Sequence, residues 1–230
     1  MTIQERISIV RPYSIEEYLT RVYSWNTTEN RRQALMDRAP TAALVLIERY
    51  RGRRLVAQGG PVKPHLGCGG TYLHGWINID TTLPRGRRDL RRSLPLPDGV
   101  VESIFTEHLL EHRDLRDGLR LLKECHRVLT AGGVLRIGVP DFERYVYAYT
   151  DADPIIDEVR PRRPSRALAI AEIFFFHGHR SSYDYETLAL LLQEAGFDTV
   201  EHSTSGEGRL NPPVDSEARQ PETLYVEAVK

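Results

Sequence analysis

The chain predicts an α/β fold: an open sheet with helices on both faces and a helical extension ahead of it. Three observations carry this. His65-Leu66-Gly67-Cys68-Gly69-Gly70 reads as a strand entering a glycine turn, and Trp76-Ile77-Asn78-Ile79-Asp80 as a second strand ending in a carboxylate. Further on, a helical pattern over 114–129 leads through Gly132-Gly133 into the apolar run Val134 to Pro140, the helix–strand alternation of such sheets. At 230 residues and 40% apolar, the chain is long and apolar enough for one substantial core.

The glycine turn indicates a nucleoside site. Glycine lets the backbone close on a ligand and tolerates the φ angles of the turn. A carboxylate at the tip of the next strand can accept both hydroxyls of a ribose, and Asp80 is placed for that. A dinucleotide site wants G-x-G-x-x-G with an acidic residue about 20 positions on. Here Tyr72 stands where the third glycine should be, and Asp80 comes early. The pattern therefore favours a nucleoside without phosphates, such as S-adenosylmethionine, over NAD.

From Leu66 to about Phe142 the chain resembles the class I S-adenosylmethionine-dependent methyltransferases of the ubiquinone-methyltransferase-like group, with a Rossmann-like sheet. The residues carrying the resemblance are Gly67-Cys68-Gly69, Asp80, Asp89-Leu90 and Leu94-Pro95-Leu96-Pro97-Asp98, then Ser103 to His112 and Arg127 to Pro140. Tyr183 to Phe197 extends it into the C-terminal half. The resemblance implies S-adenosylmethionine as cofactor, held by Gly67, Cys68, Gly69, Asp80, Asp89, Leu90, Glu107 and His108, with Asp89-Leu90 beside the adenine. It also implies an acceptor side with His112 and His179 as catalytic residues and Asp141 and Tyr183 as substrate contacts. Histidine suits proton transfer near neutral pH if the acceptor is a hydroxyl or amine.

In chain order, residues 1–58 read as a helical extension, a candidate lid. Ser14 and Glu17 make a capping box for a helix through Tyr23; further helices are expected over 28–38 and 41–50. The methyltransferase domain then spans 59–230. Its first strand is Val62 to Leu66, and the connection to Trp76 is too short for an ordinary crossover, which takes about 10–12 residues with its helix. Val100 to Thr106 is the next strand, delivering Glu107, His108, Glu111 and His112 to the carboxyl edge, where ligands of such sheets bind. His108-Leu109-Leu110-Glu111-His112 also fits the H-x-x-E-H zinc pattern, with both imidazoles on one helix face. A catalytic zinc needs a third protein ligand, and the methyltransferase order accounts for these residues without a metal, so none is expected.

The helix from Asp114 to Leu129 should bury Leu115, Leu119, Leu122 and Val128, with Cys125 adjoining, and end at Gly132-Gly133. Asp141 follows the strand as a helix cap or a substrate contact. The insertion 142–180 is rich in aromatics and in arginines that suit an anionic acceptor or a solvated surface. Phe197 to Ser203 and Thr223 to Val229 close the sheet, and 205–221 reads as a mobile loop.

Composition narrows the partners. A formal charge of −1 and the absence of a basic stripe interleaved with aromatics argue against nucleic acid. No apolar run approaches the roughly 18 residues of a membrane span, and residues 1–10 lack a signal-peptide shape. Two cysteines, Cys68 and Cys125, give no disulfide framework and fit a reducing cytoplasm. The expected partner is a small-molecule methyl acceptor, a secondary metabolite or a sugar; a homodimer is compatible. The alternatives are a non-methylating enzyme using the same cofactor for cyclisation or rearrangement, and a cofactor-free interaction module.

Overall fold

The computed structural model describes residues 13–24, 28, 54, 56, 57, 59, 61–80, 90, 93–151 and 153–230. Most of the expected helical extension, and Asp89, lie outside them. The start of that extension has the expected chemistry. Ser14 N–H donates to Glu17 Oε2 at 2.8 Å and Glu17 N–H to Ser14 Oγ at 3.1 Å, a reciprocal capping box. It opens helix α1, Ile15–Tyr18, which continues as a π-helical turn, Leu19–Tyr23.

Six strands form one sheet: β1 Pro64–Leu66, β2 Ile77–Ile79, β3 Val101–Glu107, β4 Leu129–Pro140, β5 Thr199–Ser203 and β6 Thr223–Val229. Their order is β2-β1-β3-β4-β6-β5. The first four run parallel, and β6 lies antiparallel between β4 and β5. This mixed α/β sheet is the Rossmann-like arrangement expected. Ile104, Leu135, Ile137 and Val139 are fully buried at its centre, as the nearly continuous apolar runs of parallel strands require.

Ten residues, 67–76, separate β1 from β2, and they form turns without a helix. The side chain of Asn78 laces them instead. It accepts from Leu73 N–H at 3.0 Å and donates to the carbonyls of Leu73 at 2.9 Å and Trp76 at 3.2 Å. The connection stays tight because one amide supplies bonds that helical turns would otherwise make.

Helix α2, Leu115–Val128, begins at Asp114, whose carboxylate accepts the Asp117 N–H. Its buried stripe is Gly118, Leu121, Leu122, Cys125 and Val128. Leu115, expected in the core, shares the face of Gly118 and Leu122 but sits in the first turn, ahead of the packed stripe, and is 50% exposed. The helix ends at Val128, before the glycine pair rather than at it. Gly132, at φ 75°, turns the chain within β4 and donates its N–H to the Lys230 carbonyl at 2.7 Å.

The insertion folds as α3 Phe142–Asp151, α4 Ile155–Val159 and α5 Arg166–Phe175 around a small core of their own, including Tyr145, Ile156 and Ile173. Three of its arginines, Arg160, Arg163 and Arg166, are paired within the protein. Arg163 forms a two-pronged pair with Glu172 at 2.8 Å on both prongs, and Arg160 lies 3.2 Å from Glu222. Arg166 binds the carbonyls of Ala148 and Asp153 and pairs with Asp157. These three therefore build the insertion.

Helix α6, Tyr185–Ala195, capped by Asp184 and closed by Gly196 at φ 105°, packs against α2. The segment 205–221, expected to be mobile, is anchored. Asp215 reaches the buried guanidinium of Arg136, at 2.7 Å from its Nε, and Ser216 N–H binds Glu107 at 3.1 Å. No helix among the described residues is long and apolar enough to cross a membrane.

Candidate active site

Two groups of residues meet at the carboxyl edge of β1 and β3. The first is the glycine turn. Gly67, at φ 70°, donates to the Ile79 carbonyl at 2.8 Å, which ties the turn to β2. Gly69, at φ 51°, donates to Asp80 Oδ2 at 3.0 Å, so the carboxylate at the tip of β2 is held against the turn. A Cβ built on Gly69 or Gly70 would meet nothing within 4 Å among the described residues, leaving their backbone open to a ligand. The Cys68 thiol beside them is buried, and burial with the nearby Asp80 charge pushes it up to about 11, so it packs as a neutral group. Leu90 belongs to the main core.

The second group sits on the chain leaving β3. His108 adopts φ 52°, and a 3-10 turn over Leu110–His112 follows, so the segment is not an α-helix and His108 and His112 do not share a helix face. Leu109 folds back over the glycine turn: a Cβ on Gly67 would lie 2.8 Å from the Leu109 side chain. Gly67→Ala therefore places a side chain at a left-handed φ and against Leu109 together. Urea unfolding should show a loss of about 1–3 kcal/mol; an unchanged midpoint would contradict this packing.

Glu111 is the centre of that second group. It is 1% exposed, and neither carboxyl oxygen accepts a hydrogen bond among the described residues. Its Oε1 lies 3.6 Å from His108 Nδ1, 4.0 Å from His112 Nε2 and 3.9 Å from His179 Nε2. His179 comes from the turn after α5, with its ring edge-on to His112 at a centroid separation of 4.8 Å. The two residues expected to be catalytic are thus together, although 67 positions apart in sequence.

Burial governs the ionisation here. It pushes Glu111 up to about 8 and His112 down to about 3. Burial also lowers His108 to about 2 and His177 to about 4, with further lowering from Arg219 and the other rings, and lowers His179. The rings are therefore neutral near pH 7 and their contacts with Glu111 are not ion pairs.

Their tautomers follow from their outer partners. His179 Nδ1 lies 2.6 Å from the Ile173 carbonyl, which can only accept, so Nδ1 carries the hydrogen and Nε2 a lone pair. Thr223 Oγ1 donates to the Arg219 carbonyl at 2.7 Å, so at 2.8 Å it accepts from His108 Nε2, leaving the lone pair on His108 Nδ1. Both lone pairs face Glu111.

The other expected residues are placed differently. Glu107 accepts the Tyr225 hydroxyl at 2.7 Å and Ser216 N–H on the same oxygen, tying β3 to β6. Asp141 caps α3 by accepting Arg144 N–H at 3.0 Å. Tyr183 is fully buried, and its hydroxyl bonds to Ser181 at 2.9 Å, so it packs behind the site. Asn78 has no role in the sequence analysis; a polar residue in the middle of a short apolar strand is its signal.

Residues 86–137 match the family model described as a methyltransferase domain. Among solved structures, the chain is similar to an S-adenosylmethionine-dependent methyltransferase from Archaeoglobus fulgidus, with 18% identity, TM-score 0.50, and 81% of this chain and 94% of that chain covered. Others include a possible histamine N-methyltransferase from Thermotoga maritima, at 18% identity, TM-score 0.45 and coverage of 81% and 92%. A methyltransferase from Mesorhizobium loti matches at 19% identity and TM-score 0.43, covering 77% and 96%. No curated protein matches the sequence.

The fold and the glycine turn define a Rossmann-like α/β domain of the class that binds a nucleoside at its strand ends. Residues 86–137 carry the methyltransferase-domain match, and the fold is shared with an S-adenosylmethionine-dependent methyltransferase of known structure. The residues present fit S-adenosylmethionine: an uncovered glycine backbone beside a carboxylate at the tip of the neighbouring strand.

Proposed function

We propose that the chain transfers the methyl group of S-adenosylmethionine to a hydroxyl or amine of a small organic acceptor in the cytoplasm. The observation that carries this is the contact of Leu109 with the glycine turn, which sets the nucleoside side and the His112–His179 side next to each other. The cofactor supplies an activated methyl on a sulfonium centre. Gly67, Cys68, Gly69, Asp80, Asp89 and Leu90 hold it, with Asp80 accepting the ribose hydroxyls.

The acceptor enters beside Glu111 and His179, where Phe142, Phe174 and Ser182 line a small cleft. At about 10 Å³ the cleft has room for a single water, so the acceptor must widen it to enter, and a site that tight excludes bulk water from the reacting atoms. His112 and His179 accept a hydrogen bond from the acceptor and so orient it. Because burial lowers both rings, they position that hydrogen rather than retain the proton.

Calorimetric titration with S-adenosylmethionine tests the cofactor half. A carboxylate bond to a hydroxyl is worth about 1.5–3 kcal/mol, so Asp80→Ala should weaken binding roughly 10–100-fold, with loss of the Gly69 N–H acceptor adding to it. Unchanged affinity would remove Asp80 from the site. No binding by the intact, folded chain would overturn the proposal.

A further inference from the structure

We propose that Glu111, His112 and His179 form a binding site for one divalent transition-metal ion of the zinc type. One donor atom from each of the three lies within 4.8 Å of the others. The carboxylate is buried with both oxygens lacking a hydrogen-bond donor among the described residues, an arrangement that costs several kcal/mol unless a cation or proton compensates it. His179 presents a lone pair to that carboxylate because the Ile173 carbonyl fixes its hydrogen on the far nitrogen. An outer carbonyl orienting a ligand imidazole in this way is how proteins prepare metal-binding histidines.

The sizes agree. Zinc with nitrogen and oxygen ligands at about 2.0–2.2 Å sets tetrahedral donors about 3.4 Å apart. Glu111 stands 4.0 Å from His112 and 3.9 Å from His179, and the two imidazole donors lie within 4.8 Å of each other, so side-chain shifts of roughly 0.5–1.5 Å would close the set. Two neutral imidazoles and one carboxylate suit zinc or iron(II) and leave positions open for other ligands. Glu111 and His179 also line the cleft with Phe142, Phe174 and Ser182, from which an acceptor oxygen could reach the ion. His108, with its lone pair 3.6 Å from Glu111, backs the set. The third ligand that the H-x-x-E-H pattern lacked in sequence comes from the turn after α5.

For its part in catalysis this inference rests on the acceptor-side reading above, with the ion taking the His112 and His179 lone pairs and holding the acceptor in place of their hydrogen bonds; for metal binding it does not rest on it. The full chain, stripped with a chelator and titrated with zinc chloride in the absence of cofactor and acceptor, should take up one ion. Loss of even a supporting hydrogen bond costs a metal site roughly 10–100-fold, so Glu111→Gln and His179→Ala should each weaken uptake at least 100-fold. Thermal unfolding checks that both variants are folded. Cobalt(II) added to the intact chain should give visible absorption bands that Glu111→Gln abolishes, a readout independent of either variant's turnover.

No uptake by the intact, folded chain would overturn the site, as would uptake that survives both substitutions. Zinc binding without methyl transfer to any small acceptor would uphold the metal site and count against the acceptor reading. Methyl transfer by a chain that takes up no zinc would do the reverse.

Discussion

In the metal-free protein, stability should peak near pH 6.5 and fall on both sides, steeply towards acid. His108 and His112 have folded-state values lowered to about 2 and about 3 by burial, so they charge only on unfolding. The unfolded state binds the extra protons below about pH 6.5, and stability falls with pH by about 1.4 kcal/mol per unit for each ring. Glu111, raised to about 8, acts with the opposite sign: its contribution is present at low pH and is lost as pH rises from about 4.5 to 8. Between pH 6.5 and 4.5 the lowered rings, His177 and His179 among them, outweigh Glu111, and below 4.5 they act unopposed.

By pH 4 the loss should reach several kcal/mol, a large part of the roughly 5–15 kcal/mol typical of a domain. Urea unfolding at a series of pH values, with chelator present, checks this. Glu111→Gln should remove the alkaline decline and leave the acid decline in place. A flat profile from pH 4 to 8 would show that the rings are not neutral in the folded protein.

The second large effect is at Arg136. Its guanidinium is wholly buried in the middle of β4 between Asp215 at 2.5 Å and Glu227 at 2.9 Å, and it donates to the carbonyls of Thr204 and Glu207. Both carboxylates are themselves buried. Arg136→Met fits the space but strands two buried negative charges, and breaking such a pair costs about 3–5 kcal/mol. Urea unfolding at pH 7 should show that loss. Adding Asp215→Asn and Glu227→Gln to the same chain should restore much of it, because the stranded charge is the cost. A loss under about 1 kcal/mol would mean that the network contributes little.

Elements whose signals are local were legible in the sequence. The Ser14–Glu17 box, the helix following Asp114, the glycine turn and the strand end at Ser203 depend on neighbours a few positions away. What escaped depends on distant partners. Arg136 reads as a polar interruption in an apolar strand until Asp215 and Glu227 arrive from elsewhere in the chain. The insertion arginines look like a surface or an anion site until Glu172 and Glu222 meet them. Leu115 has the spacing of the buried Leu122 face, and only the packing of α2 leaves its first turn outside the core. The Glu111 cluster had half its signal in the H-x-x-E-H run; the other half, His179, follows an entire three-helix insertion.

The helix-free connection between β1 and β2 also decides which charges the site can welcome. In open sheets that bind nucleotides, a helix usually starts directly after the glycine turn, and its first turn presents about half a positive charge to the ligand. Residues 67–76 form no helix, so this turn has no such positive pole, and the nearest formal charge placed on it is the carboxylate of Asp80. A pyrophosphate loses its main electrostatic attraction here, whereas a ligand carrying a positive sulfur meets no opposing dipole. The missing helix makes the pocket's polarity cation-tolerant and thereby sorts between two ligands that share an adenosine.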